Sequence, residues 1–254
     1  MRRPKKSGAL SLWMNNQRVG TWAVTAQGEH VFHYDNAWLA SPLGRPISLS
    51  MPLRPATAPY KGELVRNYFE NLLPDNDNIR QRLAKRFSTG TEAFRLLAEI
   101  GRDCVGALQV MPEAENPPSN EAIQFELLST EQVAEHLAGT LTTPAFTQTD
   151  DTFRISIAGA QEKTALLWYK ENWCRPLGTT PTTHIFKLPM GQMPGGIDLS
   201  TSVENEWLCH TLLQAFEIPV AKAEIVQFGE MKALCVERFD RRWTANGRLV
   251  RLPQ

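Results

Sequence analysis

The apolar positions in the first sixty residues come in short runs that are typical of β-strands. Leu10–Met14, Val19–Thr25 and Val31–Tyr34 are rich in apolar residues, and Asn15-Asn16-Gln17 between the first two favours a tight turn. Prolines then recur through an extended connection at Pro42, Pro46, Pro52, Pro55 and Pro59. The pattern therefore predicts a small β meander followed by an extended segment.

The next stretch changes to the period of a helix. Asp75 or Asp77 can cap a second helix after Pro74 ends the first one, and Thr91–Ile100 predicts a third. The apolar residues of the first helix recur three or four positions apart, as one helix face requires: Leu64, Val65, Tyr68, Phe69, Leu72 and Leu73.

Two further elements precede a threonine-rich stretch. Val105–Met111 predicts a strand, and Ser129 and Gln132 have the spacing of a capping box ahead of Val133–Leu137. Residues 139–150 contain many threonines and no clear period, which is typical of a boundary between structural units. We therefore predict an N-terminal sub-domain over residues 1–145 and a second unit over residues 146–254.

The second unit is predicted to be rich in strands, with one helix over residues 201–216. Thr201 and Glu204 can form the capping box of this helix. Its apolar face is predicted to consist of Val203, Trp207, Leu208, Leu212 and Ala215. Strands are predicted near residues 153–157, 164–169, 184–188, 222–228, 231–237 and 248–252.

Composition narrows the class of protein. The 254 residues include 27 basic and 27 acidic side chains, and this balance argues against broad electrostatic binding of nucleic acid as the main activity. The four cysteines lie far apart among apolar residues, which favours free thiols in a reducing compartment and hence a cytoplasmic location. No apolar run is long enough to span a membrane, and the basic residues after Met1 lack the apolar segment of a secretory signal.

The stretch Phe153–Leu167 is predicted to be two strands joined by a loop of small residues. Ala158-Gly159-Ala160 has little side-chain bulk, so its backbone amides can approach an anion, and Lys163 and Thr164 follow. The first glycine of a Walker A motif is missing, and Lys163 leads into a strand rather than a helix, which excludes that class of nucleotide-binding fold. An ordinary hairpin turn remains the alternative for this loop.

The order of the later elements matches the plan of a protein-kinase N-lobe. Lys187 ends an apolar strand, Glu206 lies on the following helix, and Val236–Phe239 ends the next pair of strands. In that plan a strand lysine contacts the phosphates and pairs with a helix glutamate. We choose Glu206 as the partner because Glu204 is assigned to the helix cap. A solvated strand end and a wet helix face are the alternatives for each residue alone.

These residues resemble the HipA family of serine/threonine-protein kinase toxins over essentially the whole chain. The resemblance implies an α/β fold of the α+β type: an N-terminal sub-domain, then a kinase N-lobe-like antiparallel sheet with one helix. The motifs that carry it are Asn71–Asp75, Glu99–Gly106, Phe153–Ala165, Pro181–Pro189, Asn205–Glu206 and Val236–Trp243.

The resemblance also implies nucleotide contacts. Lys187 matches the ATP lysine, and Val105 matches a residue that lines the adenine pocket. Ser156 matches the loop serine on which family members autophosphorylate, where a phosphate would add a charge of roughly −1.5 to −2 beside ATP. The phosphate loop and the hinge are matched by Ala158, Gly159, Ala160, Gln161, Glu162, Lys163 and Thr164, and by Glu237, Arg238 and Phe239.

The family uses ATP and Mg²⁺ and phosphorylates serine or threonine in proteins, with aminoacyl-tRNA synthetases as the target class. Its usual partner is HipB, a helix-turn-helix antitoxin, so the resemblance implies that DNA association is indirect, through the antitoxin. The family's catalytic aspartate and its later Mg²⁺-binding aspartate have no match in this chain, so no metal-binding or catalytic residue is assigned.

From that difference we expect a chain truncated before the helical C-terminal lobe and inactive by itself. The Mg²⁺ ligands would then belong to the missing lobe. The alternatives are a non-catalytic module or decoy that binds toxin or antitoxin, or the product of a disrupted gene.

Overall fold

The computed structural model describes residues 8–115, 123–141, 158–159, 161–193 and 195–253. The first half forms an antiparallel sheet in the order β4-β3-β2-β1-β5. Its strands are β1 (Ala9–Met14), β2 (Gln17–Val24), β3 (His30–Tyr34), β4 (Tyr60–Lys61) and β5 (Leu108–Pro112). The predicted meander is present, and the strand predicted from Val105 begins three residues later.

Four helices accompany this sheet, and three of them correspond to the helical pattern of the sequence. They are α1 (Asn36–Ala40), α2 (Glu63–Glu70), α3 (Asp77–Arg86) and α4 (Ala93–Ile100). Asn76, and neither Asp75 nor Asp77, caps α3 by accepting a hydrogen bond from the Asn78 amide. In the core, the ring of Trp22 stacks on Phe69 at 3.7 Å and meets Phe94 edge-on at 4.9 Å.

The second half forms a six-stranded antiparallel sheet in the order β12-β13-β9-β7-β8-β6. Two small hairpins, β10–β11 and β14–β15, complete the described strands. The predicted strand at residues 153–157 lies outside the described residues. The strands are β6 (Phe125–Leu127), β7 (Lys163–Tyr169), β8 (Asn172–Pro176), β9 (His184–Lys187), β10 (Gly191–Met193), β11 (Ile197–Leu199), β12 (Ala223–Phe228), β13 (Met231–Glu237), β14 (Arg241–Trp243) and β15 (Leu249–Arg251).

Helix α5 (Thr130–Leu141) packs on one face of this sheet. Val133 and Leu137 are buried there in one cluster with Phe186 and Cys235. The predicted capping box is present: the Ser129 amide donates to the Gln132 side chain at 2.8 Å, and the Gln132 amide donates to the Ser129 hydroxyl at 3.2 Å. Strand β6 belongs to the second sheet and α5 packs on it, although both precede residue 145. The division at residue 145 remains a prediction.

Helix α6 (Ser202–Ala215) lies on the opposite face, where Lys187 and Leu234 pair across β9 and β13. The capping box predicted for α6 is wrong: Thr201 makes no side-chain cap bond, and the Glu204 side chain forms an ion pair with Lys232. The predicted apolar face is also wrong. Val203 is buried, whereas Trp207, Leu208 and Leu212 are 40–50% exposed and Ala215 is exposed as well.

The reason is that α6 meets the sheet through a different stripe. Val203, Glu206 and His210 are spaced three and four residues apart and form the sheet-facing side. None of the helices in the described part of the chain combines the length and apolar composition that crossing a membrane requires.

Candidate nucleotide-binding site

Two lysines lie directly opposite each other on the central strands of the second sheet. The antiparallel register of β7 and β9 pairs Lys163 with Lys187, and both side chains are partly buried. Like charges at opposed positions repel each other. Burial and the charge of Lys187 lower the pKa of Lys163, while Asp75 and Glu206 act in the opposite direction. An anion with several charges would therefore relieve the repulsion between the two ammonium groups.

Helix α6 supplies a carboxylate to this pair. Lys187 Nζ forms an ion pair with Glu206 Oε1, the partner chosen for it from the sequence, and each side chain is about a quarter exposed. Glu206 also lies 3.9 Å from His210 Nε2, one helical turn further along. The ion pair fixes the Lys187 ammonium over the sheet, whereas Asp75 and Glu206 act on Lys163 through their charge.

The small-residue loop closes over Lys163. Lys163 Nζ donates a hydrogen bond to the carbonyl of Ala158, and Gly159 has a φ of 110°, which favours glycine. A Cβ at Gly159 would overlap the Lys163 ammonium. The φ angle therefore requires glycine here, and the contact adds that a side chain would displace the Lys163 ammonium. Ala160 and Ser156, both predicted as site residues, lie outside the described residues.

The loop is anchored on the N-terminal half of the chain as well. The amide of Asp75 donates to the carbonyl of Gly159 at 3.2 Å, and Pro74 and Gly159 form a parallel β-bridge. Arg82 on α3 forms an ion pair with Glu162. Asp75 and Arg82 were missed as site residues by the sequence reasoning. Asp75 lies in the Asn71–Asp75 motif that carries the family resemblance, whereas Arg82 lies outside every such motif.

Gln161 and Glu162 hold the other end of the loop. Gln161 Nε2 donates to the carbonyl of Leu188 at 2.7 Å, and the Leu188 amide donates to the carbonyl of Glu162 at 3.1 Å. The predicted loop residues Gln161 and Glu162 are therefore joined to the end of β9, next to Lys187. In the described structure the Gln161 side chain bonds Leu188 and the Glu162 side chain bonds Arg82.

Thr164 is not brought together with the two lysines. Its side chain is buried on the α5 face, where its hydroxyl lies 3.0 Å from His136 Nε2. Consecutive residues of a strand point to opposite faces, so Lys163 and Thr164 cannot both face one ligand. The sequence places Lys163 directly before a strand predicted over residues 164–169, and extending that strand by one residue already puts the two side chains on opposite faces.

The predicted hinge follows β13 and alternates in burial. Glu237 and Phe239 are exposed, whereas Arg238 between them is buried. The amides of Glu237 and Arg238 donate to the carbonyls of Lys222 and Thr183 at 2.9 and 2.8 Å. These two amides are therefore used within the protein and not for a ligand.

Val105 lies beside this hinge although it is more than 130 residues away in the chain. Arg238 Nη2 donates to the carbonyl of Cys104 at 3.0 Å, and the Gly106 amide donates to Asp240 Oδ2 at 2.6 Å. Val105 itself is half-buried. The structure thus brings the two predicted adenine-contacting segments together. In the described part of the chain, no group of three His, Cys, Asp or Glu residues could hold a metal ion.

Comparison with known proteins points to one family. The model described as the HipA N-terminal domain matches residues 10–111, and the model described as the HipA-like C-terminal domain matches residues 155–254. The expectation that the C-terminal lobe is absent is therefore not supported, because the second match covers the last hundred residues.

Two curated relatives are kinases by name. The putative kinase Y4mE of Sinorhizobium fredii is 30% identical in an alignment 260 positions long, which covers 96% of this chain and 57% of the relative. The serine/threonine-protein kinase toxin HipA of Shewanella oneidensis is 28% identical over 238 residues, which are 93% of this chain and 51% of the relative. The chain thus spans about half the length of these relatives.

A solved structure shares the fold. It is the complex of HipA, HipB and operator DNA from Shewanella oneidensis, with a TM-score of 0.69 and 28% identity. The match covers 95% of this chain and 53% of the matched chain. The mixed α+β architecture with antiparallel sheets is therefore shared with that structure.

Proposed function

The chain belongs to the HipA family, and on that premise we propose that it is the ATP-binding part of a serine/threonine-protein kinase toxin. The observation that carries the proposal is the pair formed by Lys163 and Lys187 across β7 and β9. The triphosphate of ATP is a polyanion, and binding it here would relieve the repulsion between the two ammonium groups.

We assign a different contact with the phosphates to each residue at the lysine pair. Lys187, oriented by Glu206, would contact the α- and β-phosphates, as the strand lysine of a kinase does. Lys163 would exchange its hydrogen bond with the Ala158 carbonyl for one with a phosphate oxygen. Gly159 lets the loop backbone pass close to the ligand. ATP would supply the transferable phosphoryl group and Mg²⁺ would neutralise its charge; we assign no residue of this chain to the metal.

The adenine would lie between residues 104–106, which we call the Val105 turn, and the hinge formed by Glu237, Arg238 and Phe239. Val105 offers an apolar side chain, and Phe239 is 71% exposed and free to cover a planar base. Because the amides of Glu237 and Arg238 are already used, the amide of Phe239 is the hinge donor that we propose for the adenine edge.

We infer the binding partners from the family and not from contacts at the site. The matched solved structure contains HipB and operator DNA, so we propose a HipB-like antitoxin as partner and contact with DNA only through it. The protein substrate, of the aminoacyl-tRNA synthetase class, and the cytoplasmic location remain predictions. We do not carry the decoy and disrupted-gene alternatives forward, because both curated relatives are named as kinases.

The test is the affinity for ATP in the presence of Mg²⁺, measured by isothermal titration calorimetry. Lys187→Ala should weaken binding by at least about tenfold, since a charge-assisted hydrogen bond contributes roughly 1.5–3 kcal/mol. Lys85→Ala, which removes an exposed lysine from α3, is the matched control and should bind like the wild type. Equal affinities in wild type and Lys187→Ala would refute the proposal.

Inactivity of the chain by itself also remains a prediction. Incubation with γ-labelled ATP should give no transfer of phosphate to the chain or to an added protein. Label that appears with the purified wild-type chain and disappears with Lys187→Ala would contradict this expectation while supporting the ATP site.

A further inference from the structure

Five charged side chains form a buried ion cluster beneath the proposed adenine site. The cluster consists of Asp103, Asp240, Arg238, Arg241 and Arg251, and all five residues are buried. Asp103 is its centre. Its Oδ1 accepts from Arg241 Nη2 at 2.8 Å and Arg251 Nε at 3.1 Å, and its Oδ2 accepts from Arg238 Nη1 at 3.3 Å. Thr182 adds its amide and its hydroxyl, at 3.0 and 2.7 Å.

The charge balance makes Asp103 indispensable to the cluster. Three guanidinium groups share two carboxylates, so the buried group carries one excess positive charge. Burial alone would raise the pKa of Asp103, but Arg241, Arg238 and Arg251 outweigh burial and hold that pKa well below its ordinary value. Neutralising Asp103 would leave three buried cations facing one carboxylate.

The cluster contacts both segments of the proposed adenine site, the Val105 turn and the hinge. Arg238 Nη2 and Arg241 Nη2 donate to the Cys104 carbonyl at 3.0 and 3.1 Å, and Arg241 Nη1 donates to the Gly106 carbonyl at 2.8 Å. These carbonyls flank Val105. Arg238 itself lies between the exposed hinge residues Glu237 and Phe239. The same buried charges therefore hold the Val105 turn and the hinge at one separation.

We propose that Asp103 is a positioning residue for adenine recognition, acting through Arg238 and Arg241 on the spacing between the Val105 turn and the hinge. The proposal rests on the proposed function, because it takes ATP as the ligand. Asp103 contacts no part of the nucleotide. Its effect is confined to the adenine end, because the lysines at the phosphate end are held by Glu206 and by the Ala158 carbonyl, outside the cluster.

The experiment compares two probes on the 254-residue chain: ATP and inorganic tripolyphosphate, each with Mg²⁺. Tripolyphosphate has the three linked phosphates of ATP and lacks both the ribose and the base. Asp103→Asn keeps the size of the side chain and removes its charge. It should weaken ATP binding by about tenfold and leave tripolyphosphate affinity within about twofold, since misplaced contacts are lost only where the base lies. Thr182→Val removes one hydroxyl from the cluster and should shift the same ratio by a smaller factor.

A destabilised control separates positioning from general loss of stability. Val65→Ala opens a cavity in the core of the other sheet, away from the cluster, and should lower the melting temperature without changing the ratio of the two affinities. If Asp103→Asn does not fold, Thr182→Val decides the question.

Failure of the inference differs from failure of the proposed function. A wild-type chain that binds neither probe overturns both. A wild-type chain that binds ATP through Lys187, with a ratio that neither cluster variant changes, overturns only the role of Asp103.

Discussion

Lys163 is the side chain through which the proposed site should depend on pH. Burial and Lys187 lower the pKa of Lys163 from the ordinary value of 10.5, so its ammonium loses a proton earlier than that of an exposed lysine as pH rises. A bound polyanion favours the charged form. ATP affinity should therefore fall with rising pH, by up to about tenfold per pH unit above the pKa of Lys163.

The measurement is the dissociation constant of ATP across the range from about pH 8 to about pH 10. Lys163→Arg is the control, because a guanidinium stays protonated over this range and should give a flatter curve. Parallel curves for wild type and Lys163→Arg would mean that Lys163 does not face the phosphates.

The partner of a single residue could be predicted from the sequence where the charge of the residue requires a partner of opposite charge. A lysine that leaves a buried strand needs a carboxylate, so a glutamate partner on α6 could be predicted for Lys187. The choice of Glu206 over Glu204 is right, but the helix cap on which it depended is not formed. The capping box predicted at Thr201 is absent, and the Glu204 carboxylate that it would have used pairs with Lys232, which lies 28 residues away in the chain. Local spacing does not reveal such a distant partner.

At the scale of secondary-structure elements, the two helix caps of the second half make a matched pair. The capping box of Ser129 is formed at the start of α5, whereas Thr201 makes no side-chain cap bond at the start of α6. Ser129→Ala should lower the free energy of unfolding by about 1 kcal/mol, while Thr201→Ala should lower it by only a few tenths. Denaturant unfolding measures both. A larger loss for Thr201→Ala would contradict the assigned caps.

The bounds of elements with a strong apolar period could be predicted, but the face that each element turns to the sheet could not. The sequence pattern located α6 within a residue at each end, but its apolar residues did not reveal which stripe meets the sheet. Trp207, Leu208 and Leu212 are exposed, and Glu206 and His210 face inward. The short strands β6 and β8 were missed because three to five residues carry too little period to separate them from a loop.

At the scale of the whole molecule, the two sheets are joined by contacts that no local pattern encodes. The small-residue loop at Gly159 pairs with Pro74 and Asp75, and Asp103 binds three arginines that lie 135–148 residues further along the chain. Both joints belong to motifs that the family resemblance carried. Their pairing in space could not be deduced from spacing, because a loop-to-loop contact or a buried ion pair has no period.

We propose that Lys163 and Lys187 together contact the phosphates of ATP. The most direct test is acetylation of lysines with an N-hydroxysuccinimide ester, read by peptide mass spectrometry with and without ATP and Mg²⁺. At an ATP concentration about ten times its dissociation constant, the free site falls to roughly a tenth, so modification of both lysines should fall by about that factor. Lys85 should be modified equally in both samples. Bound ATP that leaves Lys163 and Lys187 as reactive as before would contradict the account.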